Sequence, residues 1–166
     1  MLRNGVQFVV SSALIAVSAS AAAPTPTVGQ PAPPFTIKLF DGSKTTLADY
    51  RGKVLVINYW ATWCGPCKAE MPMMSAFHRR NRDRGFEIVG VVTEDSVPKS
   101  QLTRVIAALS YPLASKLTGK YGIINNGVPT SYVIDRTGRL RFAKAGSFST
   151  AEFSEVVLPL LDEPAQ

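Results

Sequence analysis

Cysteine and histidine are scarce in this chain: two cysteines, Cys64 and Cys67, and one histidine, His78, in 166 residues. That supply cannot close a Cys₄ or Cys₃His zinc site within one chain. Haem attachment needs C-x-x-C-H, and Lys68 follows Cys67. A peroxidatic site of the P-x-x-x-T-x-x-C kind fails as well, because Ala61 stands three before Cys64. A purely structural disulfide between cysteines this close would shut a very short loop and stabilise little through chain entropy. No repeat of solenoid period is present. The chain also lacks a dense basic patch with stacking aromatics. Its 18 basic and 12 acidic residues give +6. The one basic cluster, Arg79, Arg80, Arg82 and Arg84, is interleaved with Asp83 and followed by Glu87. Cations at the end of an amphipathic helix suit its dipole, so the cluster reads as a helix end and nucleic-acid binding is set aside.

Long apolar runs are missing too. The N-terminal "MLRNGVQFVVSSALIAVSASAAA" has Arg3, an apolar stretch from Phe8 to Val17 and small residues from Ser18 to Ala23. The apolar part is about half of the ~20 residues a membrane span needs. The layout is that of a cleaved export signal over residues 1–23, cut near Ala21–Ala23, with an uncleaved membrane anchor as the alternative. A lipid anchor is excluded because no cysteine lies near that zone. Losing Arg3 would leave 17 basic against 12 acidic residues, a charge of +5. Residues 24–33, within "PTPTVGQPAPPF", are expected to be an extended, mobile leader. The folded domain is expected over 34–164.

Within that domain the apolar pattern alternates between strand and helix. "FTIKLFDGSKTTLADYRGK" turns at Asp41-Gly42 and predicts a hairpin. "KVLVINYW" is apolar and β-branched throughout, the pattern of a strand buried on both faces. A helix is expected from about Gly65 to Asn81, then a buried strand "FEIVGVVT", then a helix with Pro98 in its first turn running to about Leu109. "VPTSYVIDRTGRLRFAKAG" predicts two strands around a turn at Arg136-Thr137-Gly138, and Thr150 is expected to N-cap a last helix to about Leu161. The order implies a three-layer α/β sandwich with parallel pairing in the middle and an antiparallel edge.

The two cysteines lie in "WATWCGPCKAEMP", where the first buried strand ends and a helix begins. In disulfide exchange the nucleophile is the thiolate. Cys64 at the helix start meets unpaired N–H groups and the positive end of the dipole, which favour that thiolate. Cys67, one turn on, is within disulfide reach and is expected to point further inward. Pro66 fits the first turn, and Gly65 leaves room for a substrate backbone. These features predict dithiol–disulfide exchange with no cofactor and no metal.

"VLVINYWATWCGPCKAEMP" resembles the thioredoxin superfamily, and more narrowly the TlpA/ResA-like periplasmic thiol-disulfide oxidoreductases. The resemblance runs from about Gln30 to Leu161 and includes Trp63-Cys64-Gly65-Pro66-Cys67, Glu70-x-Pro72 and Gly127-Val128-Pro129-Thr130. It implies a thioredoxin-like three-layer α/β/α sandwich with a mixed, mostly parallel sheet and an N-terminal β-hairpin extension. It implies that Pro129 forms a cis-proline loop facing the cysteines, where the Val128 backbone would pair with a substrate strand. Trp63 is expected to shield Cys64 at that groove, and Trp60 to lie in the core. Classical thioredoxins carry a buried Asp where this chain has Asn58; Glu70, on the Cys67 face of the helix, is the expected replacement, tuning the thiols by like-charge repulsion and moving protons. The competing reading of Glu70 is a solvated helix glutamate. Met71, Met73 and Met74 are read as packing, His78 as a helix-end cation, and Glu94 and Asp95 as caps after the second buried strand.

Gly65-Pro66 between the cysteines supplies no cation to stabilise a thiolate, which favours a low potential and hence a reductant. The resemblance implies the same, with apocytochrome c C-x-x-C-H sites or copper-site cysteines as substrates and a membrane thiol transporter as electron donor. The alternatives are a copper-binding metallochaperone of the same fold and a disulfide-forming oxidant.

Overall fold

The structure is a computed structural model and describes residues 25–93 and 97–164. The expected export signal and the residues Glu94 and Asp95 lie outside the described residues. Among the described residues no helix is long and apolar enough to cross a membrane.

Strand β1 (Phe35–Leu39) and strand β2 (Lys44–Thr46) form the expected hairpin. Its turn is held by Asp41, which accepts from Ser43 N and Oγ, and Gly42 takes a φ of +93°. Strand β3 (Val54–Trp60) is buried at every position. Helix α1 (Gly65–Asn81) follows, then β4 (Phe86–Val92), α2 (Lys99–Ala108), β5 (Leu113–Gly119), β6 (Thr130–Ile134), β7 (Leu140–Ala145) and α3 (Thr150–Asp162). The sheet order is β2-β1-β5-β4-β3-β6-β7. Among the described residues only β3–β4 and β4–β5 pair in parallel; β1–β2, β1–β5, β3–β6 and β6–β7 are antiparallel. The sheet is mixed, as expected, but parallel pairing is confined to its centre rather than dominating it.

Alternate residues of β3 serve two cores. Val54, Val56 and Trp60 join Met71, Met74 and Phe77 of α1, Leu102 of α2, and Phe153 and Val157 of α3. Leu55, Ile57 and Tyr59 join Phe35, Ile37, Tyr121, Tyr132 and Leu140 on the opposite face. That second core contains no residue of an α-helix. The helical cover expected on both faces is therefore present on one. The other face is closed by Ala32 of the leader, by Tyr50 in a short 3-10 turn, and by Ile124 in another.

The leader is tied down where it was expected to be free. Gly29 N donates to Leu140 O (2.7 Å), Leu140 N to Gln30 O (3.0 Å) and Ala32 N to Gly138 O (2.9 Å), so this stretch adds to the edge of β7. Tyr121 Oη donates to Pro33 O at 3.1 Å. The edge groups of β7 need partners, and the leader supplies them.

Strand β5 was not legible in the sequence. Its "LASKLTG" lacks β-branched residues apart from Thr118, and only Leu113 and Ala114 are buried. It exists because β1 and β4 offer it ladders on both sides. Helix α3 is capped one residue earlier than expected: Ser149 Oγ, not Thr150, accepts from Glu152 N. Helix α2 likewise starts after Pro98, which is its N-cap.

The β6–β7 turn rests on Asp135, only 2% exposed. Its Oδ1 accepts from Thr137 N, Thr137 Oγ1 and Arg139 N, and its Oδ2 from Arg141. Burial works against the charge, but the bonds from Arg139, Thr137 and Arg141 prevail and hold the carboxyl below its ordinary range. A lowered folded-state pKa contributes stability that is present above the unfolded value and lost as pH falls through the lowered one. Asp135→Ala should cost about 2 kcal/mol of unfolding free energy near neutral pH, because the bonds from Thr137, Arg139 and Arg141 to the buried carboxylate are lost together. Chemical denaturation at pH 7 and in acid tests this: the deficit should shrink below about pH 4.

Candidate active site

Cys64 is the N-cap of α1, and Cys67 lies one turn on, with Pro66 in the first turn. The two are joined as a disulfide. Cys67 N donates to Cys64 Sγ at 3.1 Å, so an orphan amide of the helix start already points at the sulfur that would carry the thiolate after reduction. Cys64 is 3% exposed and Cys67 fully buried, the order expected of an attacking and a resolving thiol. A Cβ at Gly65 would meet no atom within 4 Å, so the helix start is open on that side.

The Val128–Pro129 peptide bond is cis. Val128 O lies 3.7 Å from Cys64 Sγ, which brings the proline loop against the redox pair. Two bonds from Thr130 shape this loop: its hydroxyl donates to Gly127 O (2.8 Å) and accepts from Ile124 N (3.0 Å). Gly146 N donates to Pro129 O at 2.8 Å from the end of β7. The sequence displayed Thr130 within its motif but not this role. Nothing in the sequence pointed to Gly146.

Glu70 is 4% exposed, which removes the reading of a solvated helix glutamate. Its Oε1 accepts from Asn58 Nδ2 (2.9 Å) and its Oε2 from Phe148 N (2.8 Å). Burial pushes its pKa up, while Phe148, Asn58 and the charge of Lys144 pull it back. Its carboxyl also borders a cavity of about 230 Å³ that is lined in addition by Pro66, Met73 and the Ser147–Thr150 segment.

Trp63 departs from expectation. At 71% exposure it does not shield Cys64 and projects into solvent instead. Trp60 is in the core, and Met71 and Met74 are packed in the helix-side core with Met73 half-buried against it. His78 lies in the last turn of α1, as expected. It is buried, with Nδ1 3.0 Å from Ser110 Oγ and Nε2 3.6 Å from Glu87.

The chain is similar to known thiol-disulfide proteins. Residues 28–143 match the AhpC/TSA family. The thiol-disulfide oxidoreductase ResA of Bacillus anthracis is 33% identical over 119 residues, which covers 68% of this chain and 66% of that protein. The thioredoxin-like protein YneN of Bacillus subtilis is 30% identical over 133 residues, 76% of each chain. The crystal structure of a thiol:disulfide interchange protein of the thioredoxin family from Chlorobium tepidum superimposes with a TM-score of 0.66 at 29% identity, covering 84% of this chain and 99% of that one.

A buried carboxylate one turn after Cys67 on the same helix should oppose thiolate formation if it carries charge. Replacing Glu70 by Gln should therefore lower the pH at which reduced Cys64 becomes reactive, by about one unit. The pH profile of iodoacetamide alkylation reads this directly; a profile identical to that of the unaltered protein would remove Glu70 from thiol tuning.

Proposed function

Taking as premise that this chain belongs to the AhpC/TSA family, and stands there with the ResA-like thiol-disulfide oxidoreductases, we propose that it is an exported reductase of protein disulfides. The observation that carries the reading is Cys64 at the start of α1, against the Val128–Pro129 loop, with Glu70 buried one turn after Cys67 on the same helix. In the reduced protein Cys64 thiolate attacks one sulfur of a substrate disulfide, and the other substrate sulfur leaves as a thiolate. A mixed disulfide joins Cys64 to the substrate. Cys67 then loses its proton and attacks Cys64 Sγ, the substrate sulfur leaves, and the Cys64–Cys67 disulfide remains. The substrate has gained two electrons and the enzyme has lost them.

Each residue has a part in this sequence. The α1 N-terminus stabilises the Cys64 thiolate. Gly65 and Pro66 leave the approach open, and the Val128 backbone would hold a substrate strand beside Cys64. Trp63, exposed beside the nucleophile, offers an apolar contact to substrate rather than a shield. Glu70 is the group of suitable burial to take up and return the Cys67 proton.

The direction rests on electrostatics. A buried carboxylate and a Gly-Pro dipeptide without a cation both disfavour thiolate, which lowers the reduction potential. A low potential in an oxidising compartment requires an electron supply, and a membrane thiol transporter is the donor we propose. Apocytochrome c C-x-x-C-H sites or copper-site cysteines are the proposed substrates. Export rests on the layout of residues 1–23, with the mature chain starting near Ala21–Ala23.

Equilibration with glutathione or dithiothreitol should give a reduction potential at or below about −270 mV. A value near −120 mV, roughly that of a strong oxidant, would reverse the direction. Cys67→Ser should accumulate the mixed disulfide with substrate, and Cys64→Ser should form none.

A further inference from the structure

Glu70 is not held by its own helix. Its two carboxylate oxygens are each met by a donor from elsewhere: Asn58 Nδ2 from the middle of β3 and Phe148 N from the segment before α3. Asn58 is fully buried and uses the second hydrogen of the same amide on Ser131 Oγ, 3.0 Å away on β6. Those two acceptors set the orientation of the amide, because the reverse orientation would turn its oxygen toward the carboxylate. Ser131 is the second residue after cis-Pro129, and Phe148 is the second residue after Gly146, whose N–H holds Pro129 O. The bonds thus run from Ser131 through Asn58, Glu70, Phe148 and Gly146 back to Pro129. The proline loop and the carboxylate belong to one closed ring.

We propose that Asn58 is the positioning residue of Glu70: its amide fixes the orientation of the carboxylate and, through Ser131, ties the carboxylate's charge state to the strand that carries the cis-Pro129 loop. An amide donor aimed at a buried carboxylate favours the ionised form against the burial that opposes it. Protonation of Glu70 weakens the bonds from Asn58 and Phe148 together, and both lead to Pro129. The proton state behind the cysteines is thereby passed to the loop that receives substrate. Asn58 cannot itself exchange a proton, so it acts through Glu70. The other titratable groups that sense Glu70 are Lys144 of β7 and Tyr111 before β5, together with the redox pair once it is reduced. The proposal rests on the reading of Glu70 as the thiol-tuning carboxylate.

The test is made on the oxidised full chain, where the cysteines do not titrate. Glutamate side-chain carboxyls are labelled with carbon-13, the Glu70 signal is assigned by its loss in Glu70→Gln, and its midpoint is followed against pH. Asn58→Leu keeps the volume and removes the donor. It should raise the Glu70 midpoint by about one to two pH units. Ser131→Ala frees one end of the amide and should shift it in the same direction by less. An unchanged Glu70 midpoint in folded Asn58→Leu would overturn the proposal; if that variant does not fold, an unchanged midpoint in Ser131→Ala does so. Thiol reactivity that is indifferent to Glu70→Gln would overturn the underlying reading of Glu70 by a separate readout, since the midpoint is measured without thiols.

Discussion

A strand buried on both faces must satisfy each of its polar groups inside the protein, because water cannot reach them. From Val54 to Trp60 the backbone of strand β3 meets that condition, with β4 in parallel on one side and β6 antiparallel on the other, while the side-chain atoms Asn58 Oδ1 and Trp60 Nε1 are buried without a hydrogen-bond partner among the described residues. The backbone is served by the two ladders. The amide of Asn58 is left, and its donors go to Glu70 and Ser131. One buried side chain in the central strand thus brings together the redox helix and the strand that follows the proline loop. The C-terminal end of the same strand delivers Trp60 to the core and sets the chain on course for Cys64, at the position where open α/β sheets place their reactive groups.

The redox pair is chemically simple, and its surroundings decide what it can do. The helix start favours a thiolate on Cys64, and the buried carboxylate of Glu70 disfavours one. These opposed influences reach the pair from different parts of the chain. The amide that meets Cys64 comes from α1 itself, whereas Glu70 is kept in place by β3 and by the segment before α3. Burial pushes the Glu70 carboxyl up, and the two donors and Lys144 pull it part of the way back.

The face of the sheet without helices is closed by a different device. Tyr59, Tyr121 and Tyr132 pack edge to face there, and their hydroxyls are spent on backbone carbonyls of Tyr121, Pro33 and Gly122. A sheet face covered by loops needs such anchors, since loops bring unpaired carbonyls with them. From Gly29 to Ala32 the leader becomes part of the domain by bonding along the edge of β7, although its proline content suggested mobility.

The local code was sufficient wherever a few neighbouring residues decide the outcome. Asp41-Gly42 specifies a turn, the apolar run to Trp60 specifies a strand buried on both sides, and Cys-Gly-Pro-Cys after it specifies a helix start with a redox pair. The sequence placed Glu70 on the Cys67 face of α1 but left a solvated glutamate open, and only the packed neighbours show that it is buried. Pairings between distant segments were not legible. Strand β5 has no strong β pattern and forms because β1 and β4 flank it. Nor did spacing reveal that the second face would be closed by 3-10 turns at Tyr50 and Ile124 and by Ala32. Trp63 is exposed because the chain at the helix start turns its ring outward, which spacing does not reveal. By itself the sequence determined the central strand, the redox helix and the chemistry of two thiols, since each depends on interactions within a turn or along a strand. The tertiary structure alone decided that Asn58, Ser131, Phe148 and Gly146 converge around Glu70 and cis-Pro129, since hydrogen-bond partners 12, 73 and 78 positions apart meet only when the sheet and helices have closed.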